Sequence, residues 1–208
     1  MSHPHVRIKM CGMMQACDIV HAVSLGVDAI GIIFYDQSPR SMDISQAKLL
    51  LESLPAFVES VAVFVNPTQS WVEEVITALP IRWLQFHGDE SPDFCEQFNR
   101  HYIKSIAATS AEDITKIVEM HRHASAILLD TPSASSRGGS GKVFDWRIIP
   151  AINKPLILAG GLNNENVTAA IAECTPYAVD VCSGVELSPG IKDQNKMTQF
   201  VSTVRGIK

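Results

Sequence analysis

An eightfold alternation of short apolar runs with amphipathic segments is the feature that most constrains the fold of this 208-residue chain. The apolar runs, rich in β-branched residues, predict strands at Val6–Met10, Ala29–Phe34, Val58–Val65, Arg82–Phe86, Tyr102–Ala107, Ser125–Leu129, Pro155–Ala159 and Ala178–Cys182. The intervening segments predict helices at Gln15–Leu25, Ser45–Leu54, Gln69–Leu79, Pro92–Arg100, Ala111–His121, Asn164–Glu173 and Asp193–Arg205, with a weaker one near Asp145–Ile149.

The strands are near-continuous apolar runs, which is typical of parallel strands that are buried on both faces. Strand–helix alternation along the whole chain indicates the α/β class, and eight units favour a closed (β/α)8 TIM barrel. An open doubly wound sheet is the alternative, because counting elements in one sequence can miss or add one. No linker or shift of composition divides the chain. We therefore expect a single barrel domain over residues 1–208, with the active site at the C-terminal ends of the strands.

Composition and charge exclude several classes of protein. The hydrophobic share of 46% is ample for a core, and the net charge is −5 without any large Lys/Arg cluster, which disfavours a nucleic-acid partner. No apolar run has the length of a membrane span, and the first ten residues lack the apolar stretch of a signal peptide, so a cytoplasmic protein is expected. The five cysteines form no C-x-x-C motif, which predicts buried thiols and no metal site.

Glycines cluster after the last three predicted strands. They occur in Gly138-Gly139-Ser140-Gly141-Lys142, in Gly160-Gly161 and in Ser183-Gly184. Glycine lets the backbone approach an anion closely, and TIM barrels often bind phosphate after the seventh and eighth strands. Ordinary turns are the alternative interpretation of any one pair. The first string is not a P-loop, so nucleotide hydrolysis is not indicated.

Two candidate acid–base residues end predicted strands, Cys11 the first strand and Asp130 the sixth. Period-two alternation turns Lys9 and Cys11 towards the barrel interior, because the opposite face must pack against helices. A buried lysine needs a partner, and the eighth strand, which neighbours the first in a closed barrel, supplies Asp180. We therefore predict a Lys9–Asp180 pair beneath the site. Cys182 shares the face of Asp180, and space filling is the simpler interpretation of this thiol.

Weaker candidates follow the second and fourth strands. His87, with Gln85, ends the fourth strand, where a hydrogen-bonded structural histidine is the simpler interpretation. Arg40 follows a Ser-Pro turn, which is either a solvated loop or a rigid mount for a guanidinium that clamps a carboxylate.

Taken together, the strings at the strand ends carry a resemblance that covers nearly the whole chain. They are Lys9-Met10-Cys11-Gly12, Ser38-Pro39-Arg40, Gln85-Phe86-His87-Gly88-Asp89-Glu90, Leu128-Leu129-Asp130-Thr131, Gly138-Gly139-Ser140-Gly141-Lys142, Ala159-Gly160-Gly161-Leu162 and Ser183-Gly184-Val185-Glu186, followed by Ser188-Pro189-Gly190-Ile191-Lys192-Asp193. In this order they resemble the phosphoribosylanthranilate isomerase family of tryptophan biosynthesis.

The resemblance implies an Amadori rearrangement of N-(5-phosphoribosyl)anthranilate to 1-(2-carboxyphenylamino)-1-deoxyribulose 5-phosphate without a cofactor. It assigns Asp130 as the general acid that protonates the furanose ring oxygen and Cys11 as the general base that removes the C2 proton. Arg40 would hold the anthranilate carboxylate. The backbones of Gly139, Ser140 and Gly141, of Gly160-Gly161 and of Ser183-Gly184 would hold the phosphate. The expected partner is thus a small phosphorylated molecule, and the chain would be a monomer or a homodimer.

Two other functions remain open. The histidine-pathway isomerase performs the same rearrangement in a similar barrel, but a pair of carboxylates is expected there instead of Cys11. A non-catalytic phosphate-binding barrel is the alternative from a different class, and the presence of both Cys11 and Asp130 argues against it.

Overall fold

Eight parallel strands close into a barrel in the computed structural model, which describes residues 5–132 and 144–207. The strands are β1 (Arg7–Cys11), β2 (Ala29–Ile33), β3 (Glu59–Phe64), β4 (Trp83–Phe86), β5 (His101–Ala107), β6 (Ala126–Asp130), β7 (Leu156–Leu158) and β8 (Ala178–Val181). They pair in chain order, and β8 returns to pair with β1. The (β/α)8 barrel is confirmed, and the open sheet is excluded.

Seven helices flank the barrel in the described residues. They are α1 (Ala16–Ser24), α2 (Ile44–Leu51), α3 (Gln69–Ala78), α4 (Pro92–Glu96), α5 (Ala111–Met120), α6 (Val167–Cys174) and α7 (Gln194–Arg205). Their ends follow local chemistry: the Ser110 hydroxyl caps α5 by accepting from the Asp113 amide, and Gly26 adopts φ +78° just after α1.

Two helix predictions were partly wrong. The weak helix near Asp145–Ile149 is a single 3₁₀ turn, Trp146–Ile148, because Pro150 pushes the preceding residue towards extended backbone. The fourth helix ends at Glu96 instead of Arg100, and Asn99 adopts a left-handed φ of 51° that a continuing helix does not allow.

A small hairpin after the barrel was not predicted. The strands β9 (Glu186–Ser188) and β10 (Ile191–Lys192) pair antiparallel and follow a second 3₁₀ turn, Ser183–Val185. Gly190 supplies the positive φ of 84° in the connecting turn. The hairpin returns the chain to the C-terminal end of β1, where Lys192 is buried.

The core has two layers, as strands with opposite faces require. Ile8 and Met10 lie on the outer face of β1 and are fully buried in the large cluster between strands and helices. Cys11 lies on the inner face, in a smaller cluster inside the barrel with Val63 and Leu128. The inner face of β1 thus leads directly to the mouth of the barrel. In the described ranges, no helix is long and apolar enough to cross a membrane.

Candidate active site

A cavity opens at the C-terminal ends of the strands and gathers most of the candidate residues. Its lining includes Cys11, Tyr35, Ser38, Arg40, Gln85, His87, Asp130, Gly160, Gly161, Asp180, Cys182 and Ser183. Parallel strands deliver these side chains to one place because all their C-terminal ends meet at the same rim of the barrel. Lys9 lies below this layer and is buried.

The predicted Lys9–Asp180 pair is present. The register of β1 and β8 places the two residues opposite each other, and Lys9 Nζ lies 2.8 Å from Asp180 Oδ2. Burial disfavours the Lys9 ammonium, but the Asp180 carboxylate and the nearby Cys11 more than offset this and raise its pKa. Lys9 is therefore a cation at neutral pH, directly beneath the Cys11 thiol.

The surroundings of Cys11 favour its thiolate. A hydrogen bond with Cys182 lowers the pKa of Cys11 most, and the positive charges of Lys9 and Lys192 lower it further, against the opposing effect of burial. The same hydrogen bond, together with burial, raises the pKa of Cys182. These shifts favour the thiolate at Cys11 and the protonated thiol at Cys182, whose Sγ lies 3.9 Å from Glu186 Oε1 and 3.8 Å from Lys192 Nζ.

Asp130 belongs to a hydrogen-bonded chain of three side chains. Gln85 Nε2 lies 3.1 Å from His87 Nδ1, and His87 Nε2 lies 3.2 Å from Asp130 Oδ2. When the Gln85 amide donates to Nδ1, the proton on Nε2 faces Asp130 Oδ2 and donates to it. The other carboxylate oxygen, Oδ1, accepts from the Thr131 amide at 2.7 Å. The Asp130 carboxyl is therefore held in one orientation at the cavity wall.

Arg40 is buried and fixed by a residue that the sequence analysis did not single out. Its Nε and Nη2 donate to Glu186 Oε1 and Oε2 at 2.8 and 2.6 Å, a bidentate pair. This pair raises the pKa of Arg40 and, against the effect of burial, lowers that of Glu186. The Nη1 nitrogen takes no part in this pair, and Arg40 lines the cavity. Arg40 is thus held in place rather than solvated, and its role as a carboxylate clamp stays a prediction.

Lys192 is a second residue that the sequence analysis missed. Its Nζ donates to the carbonyls of Cys11 and Cys182 at 2.7 and 3.1 Å and to Glu186 Oε1 at 2.9 Å. One buried ammonium therefore joins the ends of β1 and β8 to the Arg40–Glu186 pair. Lys104 and Glu90 form a similar buried pair at 2.7 Å, and Glu90 also accepts from the Gly88 amide next to His87.

Glycines occupy positions after β7 and β8 where any larger residue would collide with its neighbours. Gly160 has φ +80°, and a Cβ there would collide with Thr131 and crowd Asp130. A Cβ on Gly184 would collide with the Leu162 carbonyl. Gly161 follows with φ +69°, so this loop is left-handed at two successive residues. Gly160, Gly161 and Ser183 line the cavity and Gly184 does not, and phosphate binding by these loops stays a prediction.

Three predicted phosphate-binding residues, Gly139, Ser140 and Gly141, lie outside the described residues. Within residues 5–132 and 144–207, no group of three or more His, Cys, Asp or Glu side chains is placed to hold a metal ion.

Comparison with known proteins agrees with the family resemblance that the motifs at the strand ends carry. The family model described as N-(5'-phosphoribosyl)anthranilate (PRA) isomerase matches residues 8–203. The chain belongs to the phosphoribosylanthranilate isomerase family. Proteins named N-(5'-phosphoribosyl)anthranilate isomerase from Legionella pneumophila (strain Paris) and Acidithiobacillus ferrooxidans are 52% and 49% identical to it. These matches cover 99% and 98% of this chain and 100% and 99% of the relatives.

Solved structures of the phosphoribosylanthranilate isomerase family have the same fold. The enzyme from Thermotoga maritima matches with a TM-score of 0.88 at 34% identity, over 97% of this chain and 99% of that one. A phosphoribosylanthranilate isomerase in complex with reduced 1-(o-carboxyphenylamino)-1-deoxyribulose 5-phosphate matches with a TM-score of 0.84 at 32% identity, with the same coverage.

Proposed function

We propose that the chain catalyses the Amadori rearrangement of N-(5'-phosphoribosyl)anthranilate to 1-(2-carboxyphenylamino)-1-deoxyribulose 5-phosphate in tryptophan biosynthesis. Membership of the phosphoribosylanthranilate isomerase family supports the reaction. The observation that carries the mechanism is the placement of a thiol, Cys11, and a carboxyl group, Asp130, in the wall of one cavity. General acid–base catalysis requires a proton donor and a proton acceptor within one site.

Asp130 is the proposed general acid. Ring opening requires a proton on the furanose oxygen as the bond between that oxygen and C1 breaks and a Schiff base forms. The bonds from His87 and from the Thr131 amide hold the carboxyl group towards the cavity. His87 and Gln85 are therefore proposed as positioning residues, and we do not assign them a proton transfer.

Cys11 is the proposed general base. Once the Schiff base has formed, removal of the C2 proton gives an enolamine, which tautomerises to the ketone. A base must be unprotonated to accept that proton, and the cations Lys9 and Lys192 favour the Cys11 thiolate. Lys9 and Asp180 support the base from below through their ion pair.

The rest of the cavity suits the other groups of this substrate. Arg40, fixed by Glu186, is placed to meet the anthranilate carboxylate. The backbones of Gly160, Gly161, Ser183 and Gly184 are proposed to bind the phosphate, together with Gly139, Ser140 and Gly141. Asp180 Oδ1 and Gln85 Oε1 are buried acceptors without a partner among the described residues, and a sugar hydroxyl could satisfy either of them.

We further propose that residues 1–208 act as one barrel domain without a cofactor, as a monomer or a homodimer. Both states occur in a relative, since one similar solved structure contains monomers generated from the dimeric phosphoribosylanthranilate isomerase of Thermotoga maritima.

Turnover of synthesised N-(5'-phosphoribosyl)anthranilate tests the proposal. The fluorescence of the substrate should be lost in proportion to enzyme concentration, and mass spectrometry should identify an isomer of unchanged mass. The aminoimidazole substrate of the histidine-pathway isomerase serves as the comparison. Binding without conversion would indicate a non-catalytic barrel, and preferred conversion of the comparison substrate would indicate the histidine-pathway activity.

A further inference from the structure

Two thiols meet where β1 and β8 close the barrel. The register opposes Lys9 to Asp180, and their ion pair shows that both side chains point into the barrel. Cys11 is the last residue of β1, two residues beyond Lys9, and Cys182 directly follows β8, two residues beyond Asp180. Both line the cavity. Lys192 Nζ donates to the backbone carbonyls of both residues, at 2.7 Å to Cys11 and 3.1 Å to Cys182, so the two cysteines are neighbours.

The spacing of paired strands suits a disulfide here, because the β1–β8 ladder pairs Met10 with Val181, one residue before the two cysteines. Neighbouring strands lie about 4.8 Å apart, and disulfides join Cα atoms that are about 4.4–6.8 Å apart. A bond between Cys11 and Cys182 therefore requires rotation of the side chains without separation of the strands.

The cations around this pair make the Cys11 sulfur the more reactive of the two. Lys192 Nζ lies 3.8 Å from Cys182 Sγ and 2.7 Å from the Cys11 carbonyl, and Lys9 lies beneath Cys11. Oxidants react with thiolates, and cations stabilise the thiolate form. A second thiol beside the first is the arrangement that captures an oxidised sulfur as a disulfide.

The other three cysteines do not share this arrangement. Burial raises the pKa of Cys95 to about 12 and that of Cys174 to about 11, so both stay protonated. Cys17 is exposed, and its thiol contacts Gln15 and Asp18, neither of which is a cation. Oxidation should therefore be selective for the pair in the cavity.

We propose that Cys11 and Cys182 form an oxidation site at which a peroxide produces a reversible disulfide. The Cys11 thiolate attacks one peroxide oxygen, the O–O bond breaks, and a sulfenic acid and hydroxide form. The Cys182 thiol then attacks the Cys11 sulfur, the S–O bond breaks, and water leaves. Overall, two thiols and hydrogen peroxide give one disulfide and two waters. An added dithiol returns both electrons and restores the thiols.

The bond would also remove the proposed base from the isomerisation. That loss of activity rests on the proposed function, whereas formation of the disulfide does not. The two parts can therefore fail separately.

Peptide mapping tests the bond itself. Trypsin should release residues 10–40 and 148–192 as single peptides, because the bond between Lys154 and Pro155 resists cleavage. Each peptide contains a second cysteine, Cys17 or Cys174, so a Cys17→Ser/Cys174→Ser background leaves one cysteine in each. After hydrogen peroxide and alkylation of the remaining thiols, the two peptides should appear cross-linked, with the loss of two hydrogen atoms. The matched control, Cys182→Ser in the same background, should give no cross-link.

Activity supplies the second readout. Peroxide should abolish turnover in the background variant and dithiothreitol should restore it. In the Cys182→Ser control, dithiothreitol should restore less, because Cys11 proceeds to sulfinic acid. Peptides without a cross-link, or a cross-link through Cys95, would overturn the proposal. A cross-link in a chain that never turned over the substrate would overturn the proposed function and leave the oxidation site standing.

Discussion

Cys11 derives its proposed reactivity from its neighbours. An ordinary thiol has a pKa of about 8.5 and is mostly protonated at neutral pH. In this chain a hydrogen bond from Cys182 and two ammonium groups lower the pKa of Cys11. The pH dependence of activity should therefore respond to substitutions of Cys182.

Cys182→Ala should move the acidic limb of kcat/KM to higher pH, because loss of the Cys182 thiol raises the pKa of Cys11. A protonated base is inactive, so a higher pKa means that activity is lost earlier as the pH falls. Full pH profiles of kcat/KM would measure this limb. Cys174→Ala, outside the lining of the cavity, is the control and should leave the limb in place. An unchanged limb in Cys182→Ala would contradict the hydrogen bond.

His87→Ala should lower kcat by up to about 100-fold and change KM little, because Asp130 loses the partner that orients it. Steady-state kinetics would separate the two constants. His101→Ala is the matched control, since His101 begins β5 at the opposite end of the barrel. A His87 variant with wild-type kcat would show that Asp130 needs no such support.

At the scale of elements, the ion pair between β1 and β8 couples closure of the barrel to the site. Asp180→Ala should lower the free energy of unfolding by about 3–5 kcal/mol, because it leaves the Lys9 ammonium buried without its partner. Urea titration would measure the difference. Arg147→Gln breaks an exposed ion pair and should leave the unfolding curve unchanged. If both variants behave alike, the buried pair does not stabilise the barrel.

The elements also show where prediction from sequence ends. Period-two alternation turned Lys9 into the barrel, and closure of the barrel made β8, with Asp180, the neighbour of β1. The β9–β10 hairpin was missed, since strands of two or three residues carry no detectable period. Glu186 and Lys192 were missed with it, because their contacts to Arg40 and Cys11 cross most of the chain.

For the whole molecule, the eightfold alternation predicted the α/β class and favoured a closed barrel over an open sheet. The pairing of β8 with β1 decided between the two. The residues at the C-terminal ends of the predicted strands could then be assigned to one site, because these ends meet at one rim of the barrel. The hydrogen bonds that orient these residues, such as that between His87 and Asp130, could not be predicted from the sequence. The spacing of residues along the chain does not determine the conformations of their side chains.

The net charge of −5 repels a substrate with a phosphate and a carboxylate, so attraction must be local. Inorganic phosphate should therefore raise the Tm. The stabilisation should grow with the logarithm of the phosphate concentration and reach about 2.7 kcal/mol at 100 times its Kd, whereas chloride at equal ionic strength should give no such rise. Ser183→Asp, which adds a like charge at the proposed phosphate site, should weaken the effect, and Ser202→Asp on α7 should not. Thermal melts across a phosphate titration would decide; equal effects of both anions would contradict a built phosphate site.

The most direct test of the mechanism is kcat on N-(5'-phosphoribosyl)anthranilate for the wild type, Cys11→Ala and Asp130→Asn, each confirmed as folded by its Tm. A positioned proton transfer contributes about 10²–10⁴-fold. We predict turnover by the wild type and a loss of at least about 100-fold in each variant, with substrate still bound. Near-wild-type turnover by either variant would remove that residue from the mechanism.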